Sequence, residues 1–139
     1  MRPNWVGRLL LTDEQRAAAF CQSRSRQSDD EFASACLLPA DPEARRVAIA
    51  VRRAIARIGK VDPEFIRADD LYPDQLGALP LWDSMDWLAY FMELEHELGL
   101  IITDKQAVAF FEPDISSGIS VREMVGRVRA ILTGSRPAR

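Results

Sequence analysis

An all-α protein is expected on three grounds. Apolar residues recur in steps of three and four along 42–59, 84–98 and 121–132, the spacing that lines one side of a helix. Helix-start signals stand before these stretches and before shorter ones. Thr12 with Gln15, Ser28 with Glu31 and Ser120 with Glu123 read as capping boxes, and Asp41-Pro42 and Asp62-Pro63 each set a cap before a proline. Strand alternation is missing: Leu100-Ile101-Ile102 is too short to count, and no internal repeat is found.

In chain order, Asn4 to Leu11 is a lead-in with Trp5, Val6, Leu9 and Leu10 available for packing. Two short helices, Asp13 to Cys21 and Asp29 to Leu37, flank a polar loop of alternating Ser and Arg and form a helical hairpin. Leu38 to Ala40 links it to a long helix, 42–59, with a stripe of Val47, Val51, Ala54, Ile55 and Ile58. Gly59 is the candidate left-handed terminator of that helix. Arg45, Arg46, Arg52, Arg53 and Arg57 are expected on its outer face. After one turn at Pro63 to Ile66 comes a long loop, Arg67 to Trp82, with Leu71, Tyr72, Leu76, Leu79 and Leu81 as anchors. A loop of this length is functional or tied down by its own side chains. A short helix, Lys105 to Phe110, opens at Thr103-Asp104 and is ended by Glu112-Pro113-Asp114. The last helix carries Val121, Met124, Val125, Val128, Ile131 and Leu132, and Gly134 to Arg139 is a tail.

The chain has 139 residues, 47% of them hydrophobic, which suits one domain with a real core that needs no metal or disulfide. No apolar run approaches the roughly 20 residues of a membrane span. The N-terminus lacks a signal-peptide core, so a cytoplasmic protein is expected. Cys21 and Cys36 are expected as half-buried thiols, and two ligands do not make a zinc site. The formal charge of −3 hides an asymmetry: residues 61–114 sum to −11, and residues 1–60 and 115–139 to +4 each. The acid gathers around helix 84–98, where it suits a basic partner. The basic flanks are also able to pair with the acidic middle within one molecule. No Lys/Arg cluster is interleaved with aromatics, which argues against nucleic acid.

The centre of the chain is Pro80 to Ile102. Pro80 breaks what precedes it, Asp83 is a good N-cap, and Asp86 adds negative charge to the first turn. Met85, Leu88, Phe91, Met92, Glu95 and Leu98, with Trp87 and Leu94, give the helix a broad apolar face, and Gly99 stands where a left-handed residue ends it. Ser84 is thereby set at the first turn of a helix, where backbone N–H groups lack internal partners.

Asp83-Ser84-Met85, then Asp86, then Glu93-Leu94-Glu95-His96-Glu97-Leu98-Gly99, resembles helix II of acyl carrier proteins. The likeness runs from about Pro42 to Leu132 and covers the helix order. It implies an acyl-carrier-like four-helix bundle: long helix I, long loop, helix II, short helix III, helix IV. Residues 1–41 would be an added N-terminal helical extension packing on it, 42–133 the carrier-like domain and 134–139 a flexible tail. The resemblance also implies a covalent 4′-phosphopantetheine arm on Ser84, with Asp83 and Met85 flanking the attachment point. A phosphopantetheinyl transferase, using coenzyme A and a magnesium ion, would supply the catalysis. Acyl or aminoacyl groups would then ride the arm as thioesters in fatty acid, polyketide or secondary metabolite biosynthesis. Asp86, Trp87, Leu88, Met92, Glu93 and Glu95 would meet acyl-transferring or acyl-activating enzymes with basic docking patches. A cleft beside Phe91, Leu94, Ile102 and Phe110 would shelter the cargo. The sequence departs from the family where Ala78 to Trp82 separate Leu76-Gly77 from Asp83, where Trp82 and Trp87 flank the serine, and where Ala89 and His96 stand for acids.

Enzymatic readings find little support. Ser84 has no base to activate it, since His96 is the sole histidine and sits twelve residues on along the same helix. No G-x-S-x-G elbow, phosphate loop or metal-spaced His/Cys set occurs. Glu93 and Glu97, one turn apart, read as a solvated surface rather than an acid–base pair. Two functions remain open: a carrier modified at Ser84, or an unmodified carrier-like module that binds a protein partner through helix 84–98.

Overall fold

The structure is a computed structural model that describes residues 12–36, 41–79, 84–111 and 118–134, with residues 84–86 and 134 described by their backbone alone. The lead-in 4–11, the link 38–40, the Asp83 cap, Leu81, Trp82, Glu112-Pro113-Asp114 and the tail 135–139 lie outside the described residues.

Helices begin where the sequence marks their starts. Helix α1 (Asp13–Cys21) is opened by Thr12, whose hydroxyl accepts from the Gln15 amide while the Gln15 side chain accepts from the Thr12 amide. The same reciprocal pair, Ser28 and Glu31, opens α2 (Asp29–Ala35). Helix α3 (Pro42–Gly59) follows the Asp41 cap with proline in its first turn. Helix α4 runs Ser84–Leu98, and α5 (Asp104–Phe110) starts from a Thr103–Gln106 capping box. Helix α6 (Val121–Gly134) is opened by Ser120 and Glu123.

The described residues are mostly helical, as an all-α class requires, with one small exception. Leu71–Tyr72 (β1) pairs antiparallel with Ile119–Ser120 (β2), Leu71 opposite Ser120 and Tyr72 opposite Ile119. This corrects the expectation of no strand. Two residues give no alternation to read, and the pairing depends on a partner far along the chain. Beside the ladder, the Val121 and Arg122 amides donate to the Asp70 and Ala68 carbonyls.

Helix α3 is the axis of the fold. It packs most extensively on α4 and next on α6, and α2 lies against it on another side. Val47, Ala48, Ala50, Val51, Ala54, Ile55 and Ala56 are all buried, more than one stripe of a helix. Around it lie Phe32 of α2, Ile66, Leu76 and Leu79 of the long loop, Tyr90 and Leu94 of α4, Phe110 of α5 and Met124 and Val125 of α6.

Because α2 and the α1–α2 connection cover α3, Arg52 is not on an outer face as expected but has no exposed surface. Its Nε donates to Ile66 O at 3.0 Å, Nη1 to Asp29 Oδ1 at 3.1 Å, and Nη2 to Gln27 O at 2.7 Å and Glu64 O at 3.1 Å. The guanidinium also lies over the Phe32 ring, 4.6 Å from its centroid. Burial lowers its pKa and the Asp29 carboxylate opposes that. Arg45, Arg53 and Arg57 are exposed as expected.

Gly59 was the expected left-handed terminator, yet Lys60 takes that conformation, at φ 59°. Gly59 remains helical because Leu79 lies on it: a Cβ there would stand 2.8 Å from Leu79 Cδ1 and 3.2 Å from its Cγ. The glycine serves close approach of the loop to α3, not a turn. Gly99 does end α4 with a positive φ of 65°.

Two outcomes are expected in urea unfolding. Arg52→Leu takes the guanidinium donor from the Ile66 and Gln27 carbonyls and from Asp29, and should cost about 3 kcal/mol or more. Gly59→Ala should cost about 1–3 kcal/mol, because Leu79 has no exposed room to move into. An unchanged midpoint in either variant would contradict these packing assignments.

Candidate functional site

The first residue of α4 is Ser84. As in any helix, the amides of the first turn have no acceptor within the helix and the dipole makes this end positive. Three residues on, Trp87 fixes the helix. It is 9% exposed and packs edge-on to Tyr72, Tyr90 and Phe111, with centroids 5.2, 5.5 and 5.2 Å away, and tilted on Phe110 at 5.6 Å. Expected at a docking face, Trp87 is instead a core residue. Period alone does not tell which side of a broad apolar helix faces inward, and Phe110 of α5, Phe111 just after it and Tyr72 of β1 cover this one.

The inward stripe is Trp87, Tyr90, Phe91, Leu94 and Leu98. Burial raises the pKa of the Tyr90 phenol. Of the residues expected to wall a cleft, Leu94 and Phe110 have no exposed surface, Phe91 has 8%, and Ile102 is half-buried. The outward stripe contains Leu88 and Met92, 58% and 60% exposed and one turn apart. They stand one and two turns beyond Ser84 on the face that the sequence assigned to partners. Ile101 and Val108 are exposed apolar residues too, at 81% and 61%. Sequence reasoning did not single them out, since neither belongs to a periodic pattern.

The glutamates of α4 are engaged within the molecule. Glu93 pairs with Arg57 at 3.2 Å and Glu97 with Arg53 at 3.7 Å, so both bridge α4 to α3. Glu95 Oε2 accepts from the Ile102 amide at 2.8 Å, and the Glu95 carbonyl accepts from the Gly99 and Leu100 amides. Glu95 thus shapes the turn into α5. Of Asp83, and of the side chains of Ser84, Met85 and Asp86, the structure gives no description.

The loop ahead of α4 is held from several sides. Leu76 and Leu79 have no exposed surface, and the Leu79 amide donates to Leu76 O at 3.0 Å. Helix α1 reaches this loop through Arg16, whose Nη2 donates to Leu79 O at 3.0 Å. A surface groove of about 320 Å³, lined by Arg53, Ala56, Arg57, Val61, Pro63 and Glu97, lies by the far end of α4. Glu97 is roughly 20 Å along the axis from Ser84 at the usual helical rise.

His96 is exposed and roughly 18 Å along α4 from Ser84, out of reach as its base. Among the described residues no group of three His, Cys, Asp or Glu side chains is placed to hold a metal ion. No described helix is long and apolar enough to cross a membrane. Cys21 and Cys36 are both free thiols. Burial pushes the Cys36 thiol up to about 11, and burial also raises Cys21, against the opposing charge of Arg24. Compared with protein-family models, curated proteins and solved structures, the chain matches none.

The cysteines yield a direct check. A thiol titrating near 11 is about one part in a thousand thiolate at pH 8, and the thiolate is the reactive form. Iodoacetamide at pH 8 should label half-exposed Cys21 before buried Cys36, and Cys36 should react readily only in denaturant. Equal rates in the native protein would contradict the burial of Cys36.

Proposed function

We propose that the protein is a carrier that holds acyl or aminoacyl groups on a 4′-phosphopantetheine arm attached to Ser84. The observation that carries this reading is that α4 starts at Ser84 itself. A serine at that position offers its hydroxyl at the positive end of the helix dipole, which favours an attached phosphate. The order and lengths of the helices support the same reading. A long α3 is followed by a long connection, then α4, a short α5 and α6, the acyl-carrier-like succession.

In this reading the chain is a substrate, not an enzyme. A phosphopantetheinyl transferase joins Ser84 Oγ to the phosphorus of the coenzyme A pyrophosphate that bears the pantetheine. The adenosine bisphosphate leaves, and the serine proton passes to a base of that enzyme. Once attached, the arm supplies a thiol that carries cargo as a thioester. Asp83 precedes the modified serine in sequence and Met85 follows it. Leu88 and Met92, exposed one and two turns from Ser84, present an apolar surface to the enzymes that load and unload the arm.

A second reading rests on the same exposed pair. Leu88 and Met92 also suit a module that binds a protein partner with Ser84 unmodified. Such a module keeps its partner in Ser84→Ala and loses it in Leu88→Asp.

Intact mass after incubation with coenzyme A and a broad-specificity phosphopantetheinyl transferase decides between them. The expected result is a gain of one phosphopantetheine in the wild type and none in Ser84→Ala, with the far-ultraviolet circular dichroism unchanged. A folded wild type that gains no mass with several transferases would sink the carrier reading and leave the binding module.

A further inference from the structure

We propose that Arg16 of α1 is a positioning residue for Ser84, so that the N-terminal hairpin sets how readily the serine is modified; this rests on the carrier reading. Arg16 Nη2 donates to Leu79 O at 3.0 Å and lies 3.5 Å from Gly77 O. These carbonyls are 63 and 61 residues away in sequence, so the contact is tertiary. Arg16 Nε is buried with no hydrogen-bond partner among the described residues. The guanidinium is thus directed at the backbone of one loop, at the cost of a desolvated donor.

What it holds matters because of distance along the chain. Leu79 is fixed at three points: its carbonyl by Arg16, its amide by Leu76 O, and its buried side chain by Gly59. Ser84 comes five residues later and therefore lies within about 18 Å of Leu79 even in a fully extended chain. On the other side of the serine, Trp87 is locked among four aromatic rings. The serine sits between these two fixed points, and only the first depends on the N-terminal hairpin. Lys60 Nζ, bonded to Asp13 Oδ2 at 3.0 Å, is a second tie from α1, and it leads to α3 rather than to this loop. Loss of Arg16 therefore frees the Leu79 carbonyl, the hold that comes from the N-terminal hairpin, and loosens the loop ahead of Ser84, while α1 keeps a separate attachment to the bundle. A nucleophile misplaced by an ångström loses much of its rate in the hands of an enzyme shaped to receive it.

The test uses the full chain as wild type, Arg16→Ala and Arg16→Gln, whose side chain is too short to span the same gap. Two quantities are measured on samples with matching circular dichroism. One is kcat/KM for transfer of phosphopantetheine to Ser84 by one transferase, and the other is amide exchange of the peptide carrying Gly77–Leu79. The expected result is a kcat/KM about tenfold lower in both variants, with faster exchange at Gly77–Leu79. Variants that melt at a lower temperature yet are modified at the wild-type rate would show Arg16 to be merely structural and overturn the proposal, as would unchanged exchange. If Arg16→Ala does not fold, Arg16→Gln decides by the same two readings. A wild type that no transferase modifies overturns both this role and the carrier reading, and it is told apart by appearing without any substitution.

Discussion

The fold depends on a charged side chain placed where charge is costly. Arg52 emerges from the middle of α3 into a space closed by Phe32, and its four donor contacts tie together three separate segments. Gln27 belongs to the α1–α2 connection, Asp29 to the start of α2, and Glu64 and Ile66 to the turn after α3. An aliphatic residue at 52 would fill the volume but take the guanidinium donor from the Ile66 and Gln27 carbonyls, a penalty for each, while the Glu64 carbonyl would keep the Gln27 amide. The guanidinium fork suits the task because its donors point in several directions from one rigid plane. Arg24 repeats the device at the other side of the connection, with a two-pronged bond to Asp70, 2.8 Å on each prong, and a third bond to Phe65 O. The N-terminal hairpin is thus bonded to the bundle through its loop as well as through its helices.

Other arginines act on the ends of helices. Ala35, Leu98 and Phe110 are the last residues of α2, α4 and α5, and their carbonyls accept from Arg122, Arg46 and Arg127 at 2.8, 2.8 and 2.7 Å. Each brings a cation to the negative end of a dipole and satisfies a carbonyl that the helix itself cannot. The basic flanks of the sequence therefore turn inward. Arg26 bonds to Asp62 and Glu64, and its hydrogen bond holds the Asp62 carboxyl below its ordinary range. With Arg53 and Arg57 on Glu97 and Glu93, much of the acid concentrated in 61–114 is answered from within. Among its described side chains, the exposed face of α4 is consequently more apolar, through Leu88 and Met92, than its row of glutamates implies.

Local grammar was readable in the sequence and tertiary use was not. Thr12, Ser28, Asp41, Thr103 and Ser120 open helices where their side chains and spacings say they should, because a cap is a contact between residues two or three apart. The bounds of α3 were legible for the same reason, and those of α4 from its apolar period and Gly99. Arg52 and Trp87 were misplaced because burial depends on what covers a face, and the covering residues come from α2, β1 and α5 with Phe111 just after it. Gly59 and Lys60 exchanged roles because a loop twenty residues later required the glycine's bare surface. At the candidate site, the serine's place at the head of a helix could be read from Pro80, Asp83 and the following period. The Arg16 tie to Leu79 could not, since no local pattern marks an arginine that donates to a carbonyl 63 residues away.

The ladder between β1 and β2 has a consequence for assembly order. It joins Tyr72 to Ile119, so forming it first would close a ring of intervening chain at an entropic cost of roughly 3 kcal/mol plus a constant. A pairing of two residues returns only about 1 kcal/mol per hydrogen bond, too little to hold such a ring shut alone. Helices α4 and α5, which lie inside that ring, must already be docked on α3 for the ends to meet cheaply. The ladder is the clasp on a finished bracelet rather than its first link.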